Sequence, residues 1–103
     1  MEFKKNMSGN NLVIEILGGI DNDSSEELKN YFMEVLENEF EQVHIDLFNV
    51  PFITSSGIGK FLLFYKNLIS KGKKMKIVKI NDELLELFKS IKLDKLIPIE
   101  PGE

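Results

Sequence analysis

The sequence predicts an α/β domain: a mixed, mostly parallel sheet of four to five strands with three to four helices. Two observations predict it. Segments with alternating apolar residues take turns with segments whose apolar residues recur at helical spacing. The chain has 103 residues, the size of one domain, so 1–103 is taken as a single unit with one core.

The elements follow in order. Glu2 to Lys5 is a short strand, and Asn6 to Asn11 is a polar hairpin turn. Leu12 to Leu17 is a strand with Leu12, Ile14 and Ile16 on one face, ended by Gly18-Gly19. Asp23-Ser24-Ser25-Glu26-Glu27 reads as a helix start, with Asp23 or Ser24 as the cap. Leu28, Phe32, Val35, Leu36 and Phe40 form its apolar stripe. Val43 to Phe48 is a strand with Val43, Ile45 and Leu47 on one face. Pro51 breaks regular structure and makes Asn49 to Thr54 a loop.

Ser55-Ser56-Gly57 opens a second helix, whose stripe is Ile58, Phe61, Leu62, Tyr65, Leu68 and Ile69, and Gly72 ends it. Met75 to Ile80 is a strand. Asn81-Asp82-Glu83 starts a last helix, with Leu84, Leu87, Phe88 and Ile91 on one side. Leu96 to Ile99 is a candidate edge strand, where Pro98 is tolerated.

Composition narrows the function. A net charge of −4 and a pI near 5.1 disfavour a nucleic-acid backbone or an anionic membrane surface as partner. The chain has no cysteine, which removes disulfides, thiolate catalysis and cysteine metal sites. The longest apolar run, Phe61 to Tyr65, is far short of the ~20 residues of a membrane span. The first residues are not a secretory signal, and the expected compartment is the cytoplasm, with no direct membrane insertion.

Catalytic, metal and cofactor chemistry is not expected. His44 is the one histidine and sits within a strand, away from any candidate nucleophile. Neither serine of Ser55-Ser56 has the glycine two positions before it that a nucleophile elbow needs. Gly57-Ile58-Gly59-Lys60 lacks the spacing of a phosphate-binding loop. Lys71, Lys73, Lys74 and Lys76 read as a solvated basic turn.

Topology singles out one edge. In open parallel sheets, sites lie beyond the carboxyl ends of the strands. Two loops leave strands there, Gly18 to Asp23 and Asn49 to Ser56. If their strands are neighbours, Asp21 and Ser55 share a rim.

The residues on that rim carry a resemblance. Asp46-Leu47-Phe48-Asn49-Val50-Pro51-Phe52-Ile53-Thr54-Ser55-Ser56-Gly57-Ile58-Gly59 resembles the signature of STAS domains, named for sulfate transporters and anti-sigma factor antagonists. Gly18-Gly19-Ile20-Asp21 resembles that family's second landmark. The resemblance implies a STAS-like fold and, from the length, the antagonist branch: a bacterial regulator of transcription acting through a sigma factor. It implies that Ser55 is phosphorylated by a partner serine kinase, itself the anti-sigma factor. That factor would be bound by the unphosphorylated form, and a PP2C-type phosphatase would reset the switch. Asp21, Asn22, Asp23, Thr54, Ser55, Ser56, Gly57 and Ile58 become the expected partner-binding residues. Thr54 stands where the family usually has Asp, and its hydroxyl is a second candidate acceptor, as is that of Ser56. The alternative is a STAS subunit that interacts without phosphate, in an ABC lipid-transport complex or a sensory scaffold.

Overall fold

The computed structural model describes residues 1–100. Residues 101–103, the end of the predicted single domain, lie outside the described residues. The elements are β1 (Glu2–Ser8), β2 (Asn11–Leu17), α1 (Asn22–Val35), β3 (Gln42–Leu47), α2 (Ser55–Ser70), β4 (Lys74–Ile80) and α3 (Asp82–Ser90), followed by a single 3-10 turn, Leu93–Lys95.

The four strands form one sheet in the order β1-β2-β3-β4. The β1–β2 pair is antiparallel, from Glu2 opposite Leu17 to Ser8 opposite Asn11. The β2–β3 and β3–β4 pairs are parallel, joined by the crossover helices α1 and α2. The hairpin is tighter than expected. Strand pairing continues through Asn6 to Ser8, and only Gly9 and Asn10 form the turn, with Gly9 at a φ of 65°. Leu96 to Ile99 forms one parallel bridge and not a strand. Ile77 N–H donates to Pro98 O at 2.9 Å, and Glu100 N–H donates to Ile77 O at 2.7 Å.

One sheet face is apolar. Leu12, Ile14 and Ile16 of β2, Val43, Ile45 and Leu47 of β3, and Met75, Ile77 and Ile80 of β4 are buried in a single cluster with Leu28, Phe32 and Val35 of α1 and Phe61, Phe64 and Leu68 of α2. β4 keeps Ile77 and Ile80 on the same face because a bulge opposite Ile45 and Asp46 shifts its alternation by one residue. The other face carries Glu15, His44, Asp46 and Lys76, all half-buried.

The helix stripes differ from expectation at their ends. α1 stops at Val35, so Phe40 reaches the core from the following loop instead of the helix. In α2 the buried line is Gly57, Phe61, Phe64 and Leu68, and Ile69 is exposed. Phe64 belongs to the core because α2 also packs on α1: its ring stacks on Phe32 at 4.0 Å, and Phe32 meets Phe61 edge-on at 5.3 Å. In α3, Leu84 and Phe88 are buried and Ile91 is exposed.

Candidate functional site

The site is assembled by backbone pairing that continues beyond the sheet. β2 leaves through Gly18, whose φ of 108° only glycine adopts readily, and its N–H donates to Asn49 O at 3.0 Å. Ile20 and Ile53 then form a parallel bridge. Ile20 N–H donates to Phe52 O at 3.0 Å, and Thr54 N–H donates to Ile20 O at 2.9 Å. The two loops expected to share a rim are therefore fastened together. The next residues, Asp21 and Thr54, cap the two helices that begin there.

Asp21 is the cap of α1, in place of the expected Asp23 or Ser24. Its Oδ1 accepts from Ser24 N at 2.8 Å and from Ser24 Oγ at 2.9 Å, while Asp21 N–H donates to Ser24 Oγ at 2.8 Å. The Ser24 backbone N–H first, then its hydroxyl, hold the Asp21 carboxyl below the usual carboxylate range. Asp21 is thus an exposed, fixed negative charge. Asn22 and Asp23 follow it in the exposed first turn.

Thr54 is the cap of α2. Its Oγ1 accepts from Gly57 N at 3.4 Å, a long bond, and the residue is half-buried. Ser55 and Ser56 are the first two helical residues and are exposed. Among the described residues, neither of their hydroxyls is engaged in a hydrogen bond. Gly57 is buried: a Cβ there would lie 2.6 Å from Ile20 Cγ2 and 2.7 Å from Ile53 Cγ1. The absence of a side chain there lets α2 sit on the bridge. Ile58 is half-buried against the core. An ion pair between Glu26 and Lys60, 3.3 Å apart, joins the two helix beginnings.

Sequence reasoning passed over two aromatic residues here. Phe48 and Phe52, in the loop before α2, are 52% and 50% exposed. Phe52 lies over the hydrogen-only side of Gly19, where a Cβ would come within 2.3 Å of the ring. Phe48 falls on the strand face opposite Val43, Ile45 and Leu47 and Phe52 falls in the loop, and nothing in the apolar pattern assigns either ring to the rim.

The remaining candidates lie elsewhere. His44 is at mid-strand on the polar sheet face, and burial, reinforced by Lys76 and opposed by Glu100, lowers its pKa from the ordinary value. A shallow groove of about 610 Å³, lined by Asn10, Phe40, Lys71 and Lys74 among others, lies at the other end of the strands. Among the described residues no three metal-ligating side chains are grouped, and no helix is long and apolar enough to cross a membrane.

Comparison with known proteins gives this rim a context. The chain is 28% identical over 93 residues to the anti-sigma F factor antagonist of Paenibacillus polymyxa, covering 89% of this chain and 80% of that protein. Its fold matches the crystal structure of an anti-sigma factor antagonist from Mycobacterium paratuberculosis with a TM-score of 0.87 at 21% identity, over 98% of this chain and 86% of that one. It matches the Bacillus cell fate determinant SpoIIAA in its phosphorylated form with a TM-score of 0.72 at 16% identity, over 98% of this chain and 93% of that one. At these identities the two structures establish a common fold. Residues 2–103 match the STAS domain, and the chain belongs to the STAS domain family.

Proposed function

We propose that this protein is an anti-sigma factor antagonist: it binds a kinase-type anti-sigma factor while unmodified and is released when Ser55 is phosphorylated. The observation that carries the reading is the division of labour among three adjacent hydroxyls. Thr54 is occupied as a helix cap, whereas Ser55 and Ser56 are exposed and unengaged beside the Asp21 loop, and the resemblance of the motif picks Ser55 of the two. The names of the relatives point the same way, because the Paenibacillus protein is an anti-sigma F factor antagonist and a protein of this fold has been solved in a phosphorylated form.

The chemistry suits the position. The kinase would transfer the γ-phosphoryl group of ATP to Ser55 Oγ; the O–P bond to the β-phosphate breaks, ADP leaves, and the kinase's base takes the hydroxyl proton. The free N–H groups of the first turn and the helix dipole favour an anion, so the phosphate does not require the domain to unfold. A PP2C-type phosphatase would return the hydroxyl by hydrolysis, releasing inorganic phosphate.

The phosphate adds about −1.5 to −2 charges at neutral pH. One new like-charge pair about 8 Å apart, at an effective dielectric near 20, costs roughly 2 kcal/mol. That is a loss of about 30-fold in affinity. The penalty arises where the partner places an acidic group opposite Ser55. No large rearrangement is needed.

The test is incubation with the cognate anti-sigma kinase and ATP, read by intact and peptide mass spectrometry. One phosphate on Ser55 is expected. Phosphate confined to Thr54 or Ser56, or none with an active kinase, overturns the assignment. Calorimetry then separates Ser55→Asp, expected to bind the factor weakly, from Ser55→Ala, expected to bind like the unmodified protein.

A further inference from the structure

We propose that Asn81 is a positioning residue for the Ser55 rim: its side-chain amide holds the loop before α2 in the conformation that presents the serine. Its functional half rests on the reading of Ser55 above.

Asn81 directly follows β4 and comes to the rim because β3 and β4 are parallel neighbours. It is the cap of α3, with Oδ1 accepting from Leu84 N at 3.0 Å. The same side chain also reaches the other way. Nδ2 donates to Val50 O at 2.8 Å and to Phe48 O at 3.1 Å. Among the described residues, it is the one side chain from outside the loop that donates to a loop carbonyl.

The other loop bonds give these two their weight. Phe48 N–H is taken by Asp46 Oδ1, Val50 N–H by Leu47 O, and Asn49 O by Gly18 N–H. Phe52 O and Thr54 N–H pair with Ile20. The carbonyls of Phe48 and Val50 are left for Asn81. One acceptor and two donors on one planar group is what a primary amide offers; a carboxylate has no donor, and a hydroxyl has one and is too short to span both sides. The cap and the clamp therefore depend on different atoms of one residue and can be separated by mutation.

The consequence reaches the rim. The clamped stretch lies between the exposed rings of Phe48 and Phe52 and leads directly into Thr54 and Ser55. Fixing it in the free protein spares a partner the cost of ordering it on binding.

The experiment uses the whole chain with Asn81→Ser and Asn81→Asp. Both substitutions keep a good cap acceptor and remove the amide Nδ2 that makes both bonds; Asp has no donor when ionised, and the one donor of Ser sits on a shorter side chain. Hydrogen exchange is followed at the Val50 and Thr54 amides and at Leu84 and Leu85 in α3. We expect about tenfold faster exchange in the loop, with α3 keeping its unsubstituted protection. Unchanged loop exchange overturns the clamp, and so does equal loosening of loop and α3, which is what a cap alone would give. If the carboxylate facing two carbonyls prevents Asn81→Asp from folding, Asn81→Ser decides. The second measurement is phosphate incorporation at Ser55 from ATP by the cognate kinase. About a tenfold slower rate in Asn81→Ser supports positioning, and an unchanged rate overturns it. Failure of the unsubstituted protein to take phosphate removes the Ser55 reading alone, and the exchange comparison still decides the clamp.

Discussion

The hydrogen of Gly57 faces Ile20, and no larger group fits between them. A Cβ at Gly57 would stand 2.6 Å from Ile20 Cγ2 and 2.7 Å from Ile53 Cγ1. The bridge between the two isoleucines is thus both the fastening of the rim loops and the floor on which α2 rests. Ile20 is fully buried and Ile53 nearly so, so neither can swing into water to make room.

Two glycines two residues apart, on opposite sides of α2, should therefore respond in opposite ways. Gly57→Ala is expected to cost about 1–3 kcal/mol through overpacking. Gly59, where an added Cβ meets nothing within 4 Å, should gain up to about 1 kcal/mol as Ala, from better helix propensity. Urea midpoints of the two variants against the unsubstituted protein provide the check. Equal effects would mean that Gly57 does not seat the helix.

Thr54 occupies a position defined by its cap geometry and not by its hydroxyl alone. The 3.4 Å bond to Gly57 N is long, so Thr54→Ala should cost about 0.5–1 kcal/mol, the low end for a lost cap. Thr54→Asp should melt at or above the unsubstituted temperature. A carboxylate caps well and complements the helix dipole, and the Asp21 charge on the neighbouring loop offsets part of that gain. A drop in melting temperature equal to that of Thr54→Ala would refute the cap role. The family's usual Asp and this chain's Thr are then two solutions to one capping problem.

The rim was legible in the sequence and its details were not, for physical reasons that differ by residue. Asp21 and Ser55 could be placed together because parallel topology dictates which loops share an edge. Which residue capped α1 could not be read. Asp21-Asn22-Asp23-Ser24 offers four good caps in a row, and the choice was made by where the Ile20–Ile53 bridge ends the extended chain. Phe64 was hidden inside the unbroken apolar run Phe61 to Tyr65, which shows no single face until α1 packs beside it. The cap role of Asn81 was visible as a helix start. Its bonds to Phe48 and Val50 depend on neighbours across the sheet, which no local pattern reports.

The Phe64 pairing supplies the test of that packing. Phe64 is fully buried and stacked on Phe32, so Phe64→Ala should cost about 3–5 kcal/mol. Ile69→Ala, on the exposed side of the same helix, should change stability by less than about 0.5 kcal/mol. The total stability of a domain this size is about 5–15 kcal/mol, so the first variant should lose a large part of it. Denaturant melts of both variants distinguish the two sides of α2. A mild Phe64 variant would place α2 differently on α1.

His44 gives the protein an acid sensitivity separate from its carboxylates. Burial first, and Lys76 second, lower its pKa in the folded state, while Glu100 opposes them. The folded protein therefore binds the imidazole proton less readily than the unfolded chain. At pH above the unfolded value near 6.5 the residue is neutral in both states and costs nothing. As pH falls through that value, protonation favours the unfolded chain, and stability declines until the folded-state pKa is passed. His44 is half-buried, so solvent screening keeps the loss small. His44→Gln should flatten the stability profile between about pH 7 and 5, a window in which ordinary carboxylates stay ionised. Urea titrations of both proteins across that range supply the measurement, and parallel profiles would show that His44 does not cause the decline.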